Sequence, residues 1–225
     1  MKTSFVACAF AVLLLASPLA LAKPRNAADS PASRRLTPEQ ALNLHRISDL
    51  RFSPDGARLA FTVSEPPKAT NNSQHIWMMD VATRQVRQYT FSEKIDNSPR
   101  WSPDGKFLAF LSNRDEFRQI YLMPSNGGDA YAITEGKRNI ASFEWSPDGK
   151  QIAFVAEDEP TDAEQKKEND KDDAIVVDHE DKHSRIWLFD METKKSRALT
   201  AANWEVREAQ WTPQGDRLIV SATDH

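Results

Sequence analysis

Short hydrophobic runs recur in a fixed order along this chain. Three near-copies of one phrase each precede a second apolar run: "FSPDGARLAF" from Phe52, "WSPDGKFLAF" from Trp101 and "WSPDGKQIAF" from Trp145. The second runs are "HIWMMD", "QIYLMP" and "RIWLFD", and a hydrophobic residue followed by threonine comes after each. A fourth copy of the phrase, "WTPQGDRLIV", begins at Trp211. This order predicts one structural unit that is repeated along the chain.

The spacing between these runs is constant. The isoleucine of the second run lies 14 residues before the threonine in all three copies, which pairs Ile76 with Thr90, Ile120 with Thr134 and Ile186 with Thr200. Each threonine is followed 11 residues later by the tryptophan of the next phrase. Only the interval from the phrase to the second run varies, at 24, 19 and 41 residues, so insertions enter each unit at a single connection.

Each unit is predicted to form four short strands. The letters "SPDG" are typical of a type I turn that ends in a glycine with positive φ, and such a turn joins two strands as a hairpin. The apolar runs are nearly continuous rather than alternating, which is typical of sheets that are covered on both faces.

The repeat therefore predicts an all-β fold, a β-propeller of about three and a half four-stranded antiparallel blades in an incomplete ring. The blades are expected at residues 47–90, 97–134 and 141–200, with a half blade at 207–225. A β-sandwich would explain the strands but not the constant spacings.

The segment before the repeats is predicted to contain a secretory signal peptide, a flexible leader and a short helix. Residues 1–22 combine Lys2, an apolar stretch and a small-residue cleavage site. The alternative, a membrane anchor, is disfavoured because a spanning helix needs ~20 apolar residues. Residues 23–35 form the polar leader, and residues 36–46 lead into the propeller. A short helix is expected there over about Pro38–Leu44, with a capping box between Thr37 and Gln40 and with Ala41, Leu42 and Leu44 available to pack. Signal cleavage would remove the single cysteine and export the chain, and a bacterial periplasm suits this route.

The charge of the chain does not indicate a nucleic-acid partner, and the sequence offers no cofactor to assign. The net charge of −4 provides no basic surface for nucleic acid or an anionic membrane, and no membrane contact is expected after signal cleavage. The aspartates of the repeated turns are interpreted as turn formers, and the recurring tryptophans as packing residues between blades: Asp55, Asp104 and Asp148; Trp77, Trp101, Trp145, Trp187 and Trp211. No catalytic, cofactor-binding or metal-binding residue is assigned.

The variable connection of the third unit is an acidic insertion over residues 158–182. His179 and His183 lie four residues apart there with two carboxylates between them, which suggests a divalent metal site, but no established metal-ligand spacing is present. The stretch Asp170–Asp181 lacks the glycine that an EF-hand loop requires. We interpret the insertion as a solvated loop, and place the remaining histidines in helix, strand-edge or loop positions: His45, His75 and His225.

The repeats resemble the aspartate-proline-glycine propeller repeats of the TolB-type and prolyl oligopeptidase families. The resemblance is carried by the three "SPDG" phrases and runs from about Ile47 to the end. Leu36–Ser64, where a short helix leads into the first blade, is similar to bacterial acylaminoacyl-peptidase-like and dipeptidyl-peptidase-like members, and Ala174–Thr200 resembles their inserted third blade. This likeness implies a propeller that screens and admits peptides to a C-terminal α/β-hydrolase domain with a Ser-Asp-His triad.

The hydrolase part of such a peptidase is missing from this sequence. None of the seven glycines brackets a serine in the Gly-x-Ser-x-Gly pattern of a hydrolase nucleophile, so no triad residue is assigned. No glutamate pair supports binding of a peptide amine. We expect the chain to be an N-terminal fragment or truncated product that is inactive alone, with peptide substrates acting through the absent domain. The alternative is a periplasmic TolB-like scaffold that binds proteins without enzymatic activity.

Overall fold

Four antiparallel β-sheets follow one another along the chain in a computed structural model that describes residues 36–66, 73–162, 166, 183–201 and 204–224. Blade 1 contains β1 (Arg46–Phe52), β2 (Arg58–Ser64), β3 (Gln74–Asp80) and β4 (Val86–Gln88). Blade 2 contains β5 (Asp96–Trp101), β6 (Phe107–Ser112), β7 (Gln119–Pro124) and β8 (Tyr131–Ala132). Blade 3 contains β9 (Ile140–Trp145), β10 (Gln151–Ala156), β11 (Arg185–Asp190) and β12 (Ser196–Ala198). The half blade contains β13 (Trp204–Trp211) and β14 (Leu218–Asp224).

This arrangement confirms the predicted all-β propeller fold. In the three complete blades the strands are hydrogen-bonded in sequence order, and β13 pairs with β14 in the half blade. The signal peptide and the leader predicted at residues 1–35 lie outside the described residues, as does most of the acidic insertion.

The helix α1 (Pro38–Leu42) precedes blade 1. It has the predicted capping box, because the Gln40 amide donates to the Thr37 hydroxyl and the Thr37 amide donates to the Gln40 side chain. The expectation that the helix continues to Leu44 and packs its leucines is wrong: the helix ends at Leu42, and Leu42 and Leu44 are 67% and 55% exposed. His45 therefore lies beyond the helix.

The blades pack face to face, and this explains the continuous apolar runs. In β6, Leu108 and Phe110 pack toward blade 1, while Ala109 and Leu111 pack toward blade 3. Blade 3 contacts the half blade in the same way, with Val155 in the shared cluster. A strand that is buried on both faces has no solvent side, so period-two alternation disappears.

A buried hydrogen bond accounts for the constant spacing of 14 residues. The hydroxyl of each repeated threonine accepts a bond from the backbone amide of the isoleucine 14 residues before it, at 3.0 Å in all three blades: Ile76 to Thr90, Ile120 to Thr134 and Ile186 to Thr200. The outer strands are only two or three residues long. The threonine side chain therefore continues the hydrogen-bond ladder beyond the end of the outer strand.

The repeated "SPDG" turn closes the first hairpin of each blade. In blade 1 the Gly56 amide donates to the Ser53 carbonyl at 2.8 Å, and Gly56 has φ of +70°. The Ser53 hydroxyl and the Ala57 amide donate to Asp55 Oδ1, and these bonds lower the pKa of the Asp55 carboxyl. The corresponding bonds recur at Asp104 and Asp148, so these aspartates shape the turns.

The same turns contact one another across the blades, which the sequence did not reveal. A Cβ atom added to Gly105, Gly149 or Gly215 would meet the proline ring of the preceding turn at 3.7, 3.5 and 3.2 Å. At Gly56 the corresponding space is open. The turn glycine thus serves two purposes, since it supplies the positive φ and leaves room for the neighbouring proline.

Candidate functional site

A polar recess of about 880 Å³ lies at the end of the blades where the second strand leads into the third. Blades 1, 2 and 3 all contribute to its lining, together with the connections that precede β5 and β9. The volume falls within the roughly 300–1,000 Å³ of pockets that bind small ligands.

The connection from the second strand to the third, where the sequence places the insertions, contributes to the recess. Blade 2 joins β6 to β7 through residues 113–118, whereas blades 1 and 3 use residues 65–73 and 157–184 for the same connection. Residues of the blade 2 and blade 3 connections line the recess: Asn113, Glu116, Phe117 and Arg118; Glu157, Asp158, Pro160 and Ser184. The variable connection of the repeat therefore forms part of this cavity.

One wall of the recess is made of uncharged amide side chains. Asn97 Nδ2 donates to Gln74 Oε1 at 2.9 Å, which links blade 2 to blade 1. Asn113 Oδ1 accepts a bond from the Ile95 amide at 2.8 Å. These side chains present hydrogen-bonding atoms without adding charge.

Two ion pairs around a tryptophan lie beside the recess, which Arg138 and Asp158 line. Arg138 Nη2 lies 2.8 Å from Glu159 Oε1, and Arg185 Nε donates to Asp158 Oδ1 at 2.9 Å. Both guanidinium groups lie over the Trp187 ring, at 3.9 and 5.1 Å from its centroid. The carboxylates balance the positive charge of these two arginines.

Arg118 forms the floor and has a different environment. Its Nε donates to the Ile140 carbonyl at 2.7 Å, and its Nη2 donates to the Ala141 carbonyl at 2.6 Å. The Arg118 amide donates to Asn139 Oδ1, and its carbonyl accepts from the Ile140 amide. Four bonds to the start of blade 3 therefore fix this residue, while burial lowers the pKa of its guanidinium. None of the described carboxylates forms an ion pair with it.

A second polar cluster surrounds the buried Asp96 in blade 2. Asp96 is fully buried and pairs with Arg114, at 2.9 Å between Oδ2 and Nη2. The Arg114 guanidinium lies 5.3 Å from the ring centroid of Tyr121, whose hydroxyl donates to Asp115. Burial, followed by the bond to Asp115, raises the pKa of Tyr121 to about 12.

The residues singled out in the sequence lie away from the recess or at its edge. The repeated tryptophans pack between blades: Trp101 is 8% exposed and donates to the Arg51 carbonyl at 3.0 Å. Trp77 packs within blade 1 against Phe61, not between two described blades. His45 contacts Glu65 at 3.2 Å.

The predicted metal candidates are only partly described. His183 Nδ1 lies 3.5 Å from Glu205 Oε2, whereas His179, His225 and the stretch Asp170–Asp181 lie outside the described residues. Across the described residues, no group of three or more histidine, cysteine or acidic side chains is placed to hold a metal ion.

The sequence analysis did not single out Arg118, which lines the recess, or the buried Asp96. Both depart from the repeat in a way that aligned units would reveal. Arg118 lies two residues before the repeated isoleucine, at the position where blades 1 and 3 have Gln74 and Ser184. Asp96 lies five residues before the repeated tryptophan, at the position where blade 3 and the half blade have Ile140 and Val206. The arrangement at the recess is suited to binding, because it offers a fixed cation and amide groups.

No helix in the described part of the chain is both long and apolar enough to cross a membrane.

Comparison with known proteins identifies peptidases that are similar to this chain. The chain is 27% identical over 203 residues to the uncharacterized peptidase YuxL of Bacillus subtilis, covering 83% of this chain and 31% of that protein. It is 30% identical over 109 residues to dipeptidyl-peptidase 5 of Porphyromonas gingivalis, covering 48% and 16%. The chain thus spans less than a third of the length of these peptidases.

Solved structures share the fold. The acylaminoacyl peptidase of Pyrococcus horikoshii superposes with a TM-score of 0.59 at 18% identity, over 80% of this chain and 28% of that one. A putative TolB from Agrobacterium tumefaciens gives a TM-score of 0.53 at 24% identity, over 77% and 57%. The family model described as PD40, the TolB beta propeller domain, matches residues 42–175, which is more than half of the sequence. Together with the four-stranded blades, this match shows that the chain belongs to the TolB-type β-propeller domain family.

Proposed function

We propose that this chain is the propeller portion of an exported serine peptidase of the prolyl oligopeptidase family, in which it screens and admits peptides. Peptide bonds would be cut by an α/β-hydrolase domain that this sequence does not contain. The observation that carries the proposal is the similarity to the peptidase YuxL, which extends over 203 residues and 83% of this chain. The recess supports it, because a fixed arginine and amide groups at one end of a propeller are suited to contact a peptide backbone.

The gene sequence beyond codon 225 provides the most direct test. A reading frame that continues into a Gly-x-Ser-x-Gly motif would support the proposal. A stop codon followed by unrelated sequence would contradict it.

A hydrolysis assay tests the division of labour between the two domains. We expect no turnover of aminoacyl or acylaminoacyl chromogenic peptides by the chain alone, and turnover by the product of the extended gene. Turnover by the chain alone that a serine-directed inhibitor abolishes would show that the assignment of catalysis to another domain is wrong.

A second candidate function is a TolB-like scaffold that binds proteins without cutting them. The family match over residues 42–175 favours it, since that match is to the propeller domain itself. An extended gene without a hydrolase motif, together with stable capture of a folded protein, would support this alternative.

Export to the periplasm forms part of the same proposal. Residues 1–22 would be removed, so mass spectrometry of the mature protein should find Lys23 at its N-terminus. Retention of residues 1–22 on a cytoplasmic product would contradict export.

A further inference from the structure

We propose that Arg118 is a receptor for a peptide carboxylate, provided by a C-terminus or by an acidic side chain, at the floor of the recess between blades 1 and 3. The inference rests on the proposed function in that it names the chemical group by which the propeller recognises peptides.

The first step of the argument concerns charge balance. The two other arginines beside the recess form ion pairs with carboxylates, Arg138 with Glu159 and Arg185 with Asp158. The guanidinium of Arg118 instead donates only to the backbone carbonyls of Ile140 and Ala141 among the described residues. Those carbonyls accept hydrogen bonds but carry no net charge, so the charge of this guanidinium is not neutralised by them.

The second step concerns geometry. The bonds from Nε and Nη2 hold the guanidinium plane in one orientation. A guanidinium has five N–H donors, so donors remain after these two bonds. The planar fork of an arginine matches the two oxygens of a carboxylate, and an orientation fixed in advance reduces the entropy lost on binding.

The third step concerns access and competing charge. Arg118 is half-buried and lines the recess of about 880 Å³, a space in which an extended peptide end can fit. Three carboxylates also line it: Glu116, Glu157 and Asp158. The two glutamates are exposed, and water screens charges at such positions, while Asp158 is paired with Arg185. These carboxylates therefore leave the charge of Arg118 available at the floor, where the amides of Gln74 and Asn97 can bond to the peptide backbone.

The test compares three fluorescently labelled probes in an anisotropy titration of the full chain at low ionic strength. The first is an acetylated tetra-alanine peptide with a free C-terminal carboxylate, and the second is the same peptide with a C-terminal amide. The third carries a glutamate at its third position and a C-terminal amide. We expect the free acid or the glutamate peptide to bind at least about tenfold more tightly than the alanine amide, and the stronger of the two identifies the source of the carboxylate.

The variants locate the effect at one side chain. Arg118→Gln should abolish the preference for the carboxylate probe while leaving weak binding of the amide probe. Arg58→Gln is the matched control, because Arg58 also donates to a backbone carbonyl of the neighbouring blade, that of Ser125, but does not line the recess. This control should keep the full preference. Arg118→Lys retains the charge without the fork, and should keep part of it.

Three results would overturn the proposal: equal binding of all three probes by the unmodified chain, no binding of any of them, or an unchanged preference in Arg118→Gln. The first two results need no variant, so they decide the matter even where Arg118→Gln fails to fold. If the unmodified chain shows no preference for a carboxylate probe, the proposed peptidase function still stands as long as the extended gene product cuts peptides. Absence of that cutting activity would refute the function without changing the probe titration.

Discussion

The threonine hydrogen bond that sets the spacing of the repeat predicts a large loss of stability for Thr134→Val. Valine has nearly the shape of threonine, so the substitution removes the hydroxyl and little else. Thr134 is 6% exposed, and its hydroxyl accepts a bond from the Ile120 amide at 3.0 Å and donates to Gln119 Oε1 at 2.8 Å. Ile120 is fully buried, so water cannot replace the lost acceptor.

The expected magnitude follows from the groups that lose their partners. A buried donor without an acceptor costs about 1–3 kcal/mol, and the Gln119 side chain also loses a donor. Gln119 keeps the bonds from its Nε2 to the carbonyls of Gly136 and Arg138, which limits the second loss. We therefore expect Thr134→Val to lower the free energy of unfolding by about 2–4 kcal/mol, a large share of the ~5–15 kcal/mol typical of a domain.

Two other substitutions serve as controls. Thr134→Ser keeps the hydroxyl and loses a methyl group, so it should cost only about 1 kcal/mol. Thr200→Val removes the same 3.0 Å bond in blade 3. Thr200 is only partly buried, and no second bond of its hydroxyl is seen among the described residues, so about 1 kcal/mol is expected there too.

Urea unfolding followed by tryptophan fluorescence measures these differences, because the tryptophans of the chain change environment when the blades separate. With a slope of about 2 kcal/mol per molar, Thr134→Val should move the midpoint by at least ~1 M. A Thr134→Val protein within about 0.5 kcal/mol of the unmodified chain would refute the reasoning. So would a Thr134→Ser protein as unstable as Thr134→Val.

Three further predictions test other parts of the fold. Gly215→Ala should destabilise the chain more than Gly56→Ala in urea unfolding. Both glycines have positive φ, but of the two only Gly215 has a proline ring close by, which an added Cβ would meet at 3.2 Å. Equal losses of unfolding free energy would show that this contact is unimportant. The pKa of Tyr121 is raised to about 12, so the stability that its protonated hydroxyl contributes is complete below pH ~10 and is lost as the pH rises toward 12. Absorbance at 295 nm should show one tyrosine that titrates late, and Tyr121→Phe should remove it. Titration of all tyrosines near pH 10 would contradict this prediction. Asp96→Val leaves Arg114 without its carboxylate partner and should lower the free energy of unfolding by about 3–5 kcal/mol. Adding Arg114→Leu to this variant should recover much of that loss. A double variant as unstable as Asp96→Val would contradict the pairing.

The fold was largely predictable because propeller blades repeat. Any feature that every blade needs appears several times at the same spacing, as the interval from Ile120 to Thr134 does. Features that no characteristic residue type marks in the sequence were not predicted. The first strands contain irregular pairing in which Asp49 and Ser98 have positive φ, and neither residue type marks a bulge in the sequence.

The helix end was mispredicted for a related reason. Leu44 fits a helical pattern locally, but whether a leucine packs depends on a surface that lies elsewhere in the chain. In the structure Leu44 remains 55% exposed and the helix has already ended. Local patterns indicate which residues could be buried, and tertiary contacts decide which are.

The candidate site was not predictable by motif, because it is built from departures from the repeat. A residue that recurs in every blade is explained by blade geometry, as the turn aspartates are by their bonds to serine hydroxyls. A residue that occupies a repeat position in one blade only needs another explanation. Arg118 stands where the neighbouring blades have Gln74 and Ser184, and yet it bonds to the next blade through its backbone amide as Ser184 does. The backbone at this position therefore links neighbouring blades in both cases, and the guanidinium of Arg118 adds two bonds, to the Ile140 and Ala141 carbonyls, that the Ser184 side chain is too short to make in the same way.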